Sequence, residues 1–211
     1  MSVQVEEMPN EIEDEVAPTM RTLADLIREL GDIDPSRILL VPTPGTATVA
    51  DVERYECELI DGTLVRKPMG FEESTLACYL IEMLNAFVRR GNIGLSTGPD
   101  GFYRIFDGTV RAPDLAFVSW ASLPKRRRPI KPIPDLVPDF CLEVLSIGNT
   151  KREMKRKRKD YFTAGVKLVW LIDPSKRTAT VYDADDAGTL LPPTGSLDGG
   201  KVLPGFTLPL A

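Results

Sequence analysis

The sequence predicts an α/β fold, a central mixed β-sheet flanked by helices. Three observations carry this. Short apolar or alternating runs recur between turns rich in Gly, Pro and Asp, which is the pattern of strands. The stretches 72–90 and 150–163 instead place their apolar residues at helical spacing. The second of these helices stands between two short apolar runs, 140–145 and 166–172, and a strand before and after a helix suggests a mixed sheet with helices packed on it.

Taken in order, Thr22 caps a helix running to Leu30, with Asp25 three positions on and Gly31 as the stop. Arg37–Val41 reads as a short extended segment before a turn at 42–45. Glu56–Ile60 and Thr63–Lys67 flank Asp61-Gly62, a two-residue hairpin signal. Leu76, Leu80, Met83, Leu84 and Phe87 form the apolar stripe of the helix 72–90, ended by Gly91. Ile93–Thr97, Phe102–Phe106 and Val110–Val118 read as strands separated by the Asp-Gly turns at 100–101 and 107–108. Residues 121–138, rich in Pro and Arg, form a loop. The strand 140–145, the basic helix 150–163 stopped by Gly165, the apolar strand 166–172 and a returning strand at 179–182 follow. The Gly-rich remainder reads as loops and short edge strands.

Composition narrows the chemistry. The 211 residues contain no histidine, which removes Ser-His-Asp and Cys-His nucleophiles and every His-ligated metal. Cys57, Cys78 and Cys141 are scattered, as in a reduced, cytoplasmic protein. No run approaches the length of a membrane span, and the acidic first 20 residues do not read as a secretory signal. Any catalysis rests on carboxylates, Lys, Arg, Tyr, Ser or Thr.

The net charge is −5, but residues 1–20 hold six acids and no base, so the remainder carries +1. The tail 1–20 is expected to be disordered, ahead of one domain over 21–211. Twelve of the 26 basic residues fall in two segments. One holds Lys125, Arg126, Arg127, Arg128 and Lys131. The other holds Lys151, Arg152, Lys155, Arg156, Lys157, Arg158 and Lys159. Such patches can bind backbone phosphates, although a solvated loop and helix face is the commoner explanation of a charge run.

Two carboxylates stand out. Asp114 follows Pro113, and Glu143 interrupts an apolar strand between Leu142 and Val144. On adjacent strands they could share a divalent ion through hard oxygen ligands. On the basic helix, Met154, Tyr161 and Gly165 share a face, with Arg158 near its centre and Lys157 at its rim. Glu73, near the buried side of the helix 72–90, is a further candidate, or simply an acid suited to a helix start.

Glu58-Leu59-Ile60-Asp61-Gly62, Pro113-Asp114, Glu143-Val144-Leu145-Ser146, Lys157 with Tyr161, and Gly165-Val166 leading to Trp170-Leu171-Ile172-Asp173-Pro174 together resemble the Uma2 family of the PD-(D/E)xK, restriction-endonuclease-like superfamily. The resemblance covers roughly residues 45–185. It implies a restriction-endonuclease-like core and a nuclease site using Mg²⁺ or Mn²⁺. It also implies a homodimer. Asp114 and Glu143 map onto metal ligands and Glu73 onto the helix acid-or-His position. The superfamily lysine should stand two residues after the second acid, where this chain has Leu145; the family pattern moves it to Lys157.

The expectation is a cytoplasmic, Mg²⁺-dependent endonuclease acting on nucleic acid, DNA in the first instance. Lys157 would position the attacking water. Lys125, Arg126, Arg127, Arg128, Lys131, Lys151, Arg152, Lys155 and Arg156 would hold phosphates without reading sequence. One alternative is a non-catalytic nucleic-acid- or protein-binding homodimeric module on the same fold; another is a structural homodimer whose carboxylates merely pair with Lys157.

Overall fold

The computed structural model describes residues 22–68 and 70–210. The acidic stretch 1–20 lies outside them.

Helix α1 (Leu23–Glu29) begins with the expected capping box. Thr22 Oγ1 accepts from the Asp25 N–H at 3.1 Å, and the Asp25 carboxylate accepts from the Thr22 N–H at 3.2 Å. Its buried Leu26 joins Leu30, Ile33 and Ile38 against Ile60 and Val65. The extended segment expected at Arg37–Val41 makes no ladder. A 3-10 turn spans Pro35–Arg37, and one isolated bridge joins Ile38 to Val65. Helix α2 (Val49–Tyr55) was not expected. It is capped by Thr48 and Asp51 but buries only Val52 fully, so it shows no apolar stripe.

The hairpin of β1 (Glu58–Ile60) and β2 (Thr63–Val65) turns at Asp61 and Gly62, both with positive φ, as a two-residue hairpin turn requires. Helix α3 (Phe71–Gly91) follows and ends on Asn92 in the left-handed region. Next come β3 (Gly94–Thr97), β4 (Tyr103–Phe106), β5 (Thr109–Arg111) and β6 (Leu115–Ser119). The single strand expected over Val110–Val118 is thus two strands in two different sheets. Pro113 lacks the N–H that a continuous ladder needs, and the chain crosses between sheets at Ala112-Pro113-Asp114.

A four-stranded antiparallel sheet has the order β2-β1-β5-β4. The larger sheet adds β7 (Phe140–Val144), β8 (Leu168–Asp173), β9 (Thr178–Tyr182) and β10 (Gly188–Leu191), in the order β10-β9-β8-β7-β6-β3. Its β7–β8 pair is parallel, joined through helix α4 (Lys151–Ala164), and its other pairs are antiparallel. A final hairpin pairs β11 (Ser196–Asp198) with β12 (Thr207–Pro209).

The two-residue period of the strands sorts the core. Leu115, Phe117, Phe140, Leu142, Trp170 and Ile172 pack with Ala77, Leu80, Leu84 and Val88 of α3 and with the β11–β12 hairpin. Each buried Leu or Val contributes about 1.5–3 kcal/mol. Ala116, Val118, Cys141, Val169 and Leu171 point the other way, toward Met154 and Tyr161 of α4. Glu143 alternates in step with Cys141, so the pleat directs it to the α4 side.

Candidate active site

The site lies where the small sheet, the Ala112–Asp114 crossing, β7 and α4 meet. Asp114 is 5% exposed and Glu143 4%. Asp114 Oδ2 accepts from the Val144 N–H at 2.7 Å, which ties the first acid to the strand carrying the second. Asp114 Oδ1 accepts from Lys67 Nζ at 2.7 Å. Glu143 Oε2 accepts from Lys157 Nζ at 2.9 Å, and its Oε1 from the Tyr161 hydroxyl at 2.5 Å.

Lys157 is also 3.0 Å from Glu58 Oε1. Glu58, 3% exposed on β1, further accepts from Arg111 Nη1 and from the Ala112 N–H, both at 3.0 Å. Arg111, 2% exposed on β5, pairs in turn with Asp160 of α4. The sequence reading did not single out Lys67, Arg111 or Glu58 as site residues. Arg111 carried the same signal that marked Glu143, a charge inside an apolar strand.

The charges respond to these neighbours. Burial pushes the Glu143 carboxyl up to about 6; Asp114 adds to the rise and Lys157 opposes it. Burial would raise Glu58 as well, but Lys157 and Arg111 together bring it down to about 2. Burial disfavours the Lys157 ammonium, yet Glu143 and Glu58 hold its pKa above the ordinary lysine value. Burial and Glu143 keep the Tyr161 phenol protonated, so it acts as a donor.

Other predicted residues sit elsewhere. Glu73 is half-buried at the head of α3, its carboxylate against Gly70, and no hydrogen bond among the described residues links it to Asp114 or Glu143. Lys157, placed by the helical wheel at the rim, is fully inside. Arg158, placed near the centre, lies over the Tyr182 ring and pairs with Asp185 at 3.1 Å. The buried face of α4 is defined by Glu153 and Lys157 as much as by Met154 and Tyr161. Glu153 accepts from both Nη atoms of Arg37, at 3.0 and 2.5 Å.

The basic segments divide. Lys125, Arg126, Arg127 and Arg128 are exposed, with no ion pair among the described residues, while Lys131 pairs with Asp135 at 3.2 Å. Lys151 and Lys155 are exposed on α4. Arg152 and Arg156 instead each lie 2.6 Å from an acid, Asp32 and Asp61 respectively, so part of that charge is already spoken for.

The Uma2 family model, described as "Putative restriction endonuclease", matches residues 48–211. The chain belongs to the Uma2 family. A solved structure from Anabaena variabilis ATCC 29413, titled a "putative nuclease", is similar in fold, with a TM-score of 0.65 and 22% identity. The similarity covers 72% of this chain and 86% of that one. No curated protein matches the sequence. The Uma2 match extends past the expected 45–185 to take in the β11–β12 hairpin. No helix among the described residues is long and apolar enough to cross a membrane.

A divalent ion is what this Uma2 site is expected to take, and the donors fit one. Lys67 Nζ is held by Asp114 Oδ1 and, at 2.6 Å, by the Ala112 carbonyl oxygen. A cation is therefore already seated at an oxygen-lined point beside the acid. Among the described residues no group of three or more acidic, His or Cys side chains is placed to hold a metal ion. An ion bound here would therefore rest on one or two carboxylates and would need waters or substrate phosphate oxygens for its remaining positions.

Proposed function

We propose that this Uma2 chain is a Mg²⁺- or Mn²⁺-dependent endonuclease that hydrolyses phosphodiester bonds of nucleic acid, with DNA as the first substrate to test. The observation that carries the reading is the pair of buried acids, Asp114 just before β6 and tied to the Val144 N–H, and Glu143 on neighbouring β7 one residue before Val144, next to an oxygen-lined cation position. Asp114 and Glu143 would hold the ion. When bound, it supplies the positive charge that a phosphodiester oxygen needs as negative charge develops. Lys157 and Tyr161 fix the Glu143 carboxylate from both sides, and Glu58 and Arg111 fix Lys157 in turn. Lys157 thus acts through Glu143, in place of the water-positioning role expected from sequence. Arg127, Arg128, Lys151 and Lys155 would meet backbone phosphates, with affinity that falls as salt rises.

A reduced cytoplasmic setting and a homodimer belong to the same proposal; the described cysteines Cys57, Cys78 and Cys141 are unbridged. One observation favours the non-catalytic module instead: every oxygen of Asp114 and Glu143 already has a donor from the protein. Incubation of single- and double-stranded DNA and RNA with Mg²⁺ and Mn²⁺, against Glu143→Gln, decides between the two. The nuclease reading expects cleavage that needs the metal and Glu143. Intact substrate under all conditions supports the binding module.

A further inference from the structure

Two lysines touch the acids, and their surroundings differ. Lys157 has its Nζ between Glu143 and Glu58, rises from the middle of α4, and has a side chain 6% exposed. Its departure would take the only lysine contact from Glu143, leaving that buried carboxylate with the Tyr161 hydroxyl alone, and would leave Glu58 to Arg111 and the Ala112 N–H. Lys67 belongs to the segment just past β2, contacts one carboxylate, and has a side chain 18% exposed. Its neighbour Pro68 lies against Gly148 in the loop after β7, where an added Cβ would come within 2.8 Å of the Pro68 Cβ. Lys67 therefore stands at the solvent border of the site, on a flexible stem that can swing outward.

We propose that the Lys67 ammonium occupies the Asp114 and Ala112 end of the metal position in the resting protein and gives up that place to the divalent ion. The argument rests on the nuclease reading above and adds to it. Asp114 and the Ala112 carbonyl are hard oxygen donors that suit a small divalent cation. Asp114 stays held by the Val144 N–H after Lys67 leaves, so the acid keeps its aim. Once displaced, Lys67 keeps its charge at the partly exposed border of the site, where it would attract a phosphate that approaches the ion. Lys67 is thus both a competitor for the metal and a substrate-positioning cation.

The test uses the full chain and Mn²⁺. Calorimetric titration compares the wild type with Lys67→Ala and with Lys67→Arg, each first checked for cooperative unfolding. Lys67→Ala removes the competitor and should bind Mn²⁺ about tenfold more tightly, while Lys67→Arg stays near or below the wild type. A second readout needs no variant. Limited acetylation followed by mass spectrometry reports Lys67 reactivity relative to the exposed Lys201. Saturating Mn²⁺ should raise it severalfold. If the wild type binds Mn²⁺ but Lys67→Ala binds no more tightly, or if Lys67 reactivity does not rise, the inference is overturned and the nuclease reading stands. If neither the wild type nor Lys67→Ala binds Mn²⁺ and the wild type cleaves nothing, the nuclease reading itself fails.

Discussion

Glu58 and Glu143 share the ammonium of Lys157, which lies 3.0 Å from one carboxylate and 2.9 Å from the other. One acid comes from the small sheet and the other from the large sheet, so a single helix side chain ties both sheets to α4. The pairing is strong only because it is complete, since each ion has been taken out of water.

Lys157→Met is therefore expected to cost about 3–5 kcal/mol, because it leaves the buried Glu143 carboxylate without a cation and takes one of two from Glu58. Urea denaturation at neutral pH measures it. The triple variant Lys157→Met, Glu58→Gln, Glu143→Gln should recover a large part of the loss. A single-variant cost below about 1 kcal/mol would show that solvent already reaches the pair.

Acid should destabilise the fold with a defined sign. Glu58 titrates near 2 when folded, and Glu153 and Asp139 are also lowered, Glu153 by Arg37 and Asp139 by Lys167 and the Ser119 N–H. Their contributions are complete above the ordinary carboxylate value of about 4.5 and disappear as pH falls through the folded values. Glu143, raised to about 6, runs the other way: its contribution is present below the ordinary value and is lost as pH rises through about 6. Urea midpoints should fall from about pH 4.5 downward, and Glu58→Gln should flatten that limb. Glu143→Gln should flatten the weaker limb above it. A midpoint that stays level into acid would contradict the network.

The two basic segments should differ in their effect on nucleic-acid binding. Replacing Arg127 and Arg128 by Ala should lower the slope of log affinity against log salt by about 2. Replacing Arg152 and Arg156 should lower it by less than about 1, because Asp32 and Asp61 already pair them. Fluorescence anisotropy with a labelled duplex over a salt series reads both; equal slopes for the two variants would show that the ion pairs open on binding.

Two glycines with positive φ separate strain from contact. At Gly31 (φ +95°) an added Cβ would lie 2.5 Å from the Glu153 Cα and backbone N, whereas at Gly165 (φ +109°) nothing lies within 4 Å. Gly165→Ala should cost about 1 kcal/mol of left-handed backbone strain. Gly31→Ala should cost more than about 2 kcal/mol, because α4 must shift away from α1. Thermal unfolding of the two variants gives the comparison, and similar losses would refute the close approach.

Much of this architecture was legible locally. Thr22 with Asp25 marked α1, Asp61-Gly62 marked the hairpin, and the stripe from Leu76 to Phe87 marked α3, because each signal depends on neighbours in sequence. Helix α2 escaped because one buried valine makes no periodic stripe. The break at Pro113 escaped because Val110, Ala112 and Leu115–Val118 are buried throughout and read as one run. Asp114 and Glu143 stood out as acids among apolar residues. Lys67 beside Asp114 and Arg111 beside Glu58 did not, since both acquire meaning only when the two sheets meet, and helix periodicity by itself ranks Arg158 above Lys157.

The most direct test of the account is Mn²⁺ binding and DNA cleavage by the wild type beside Asp114→Asn. That change keeps the acceptor for the Val144 N–H and removes the charge that would hold the ion. The account predicts that the wild type binds Mn²⁺ and cleaves, and that Asp114→Asn, still folded, loses both by about a hundredfold or more. A folded Asp114→Asn that binds the ion and cleaves like the wild type would contradict it.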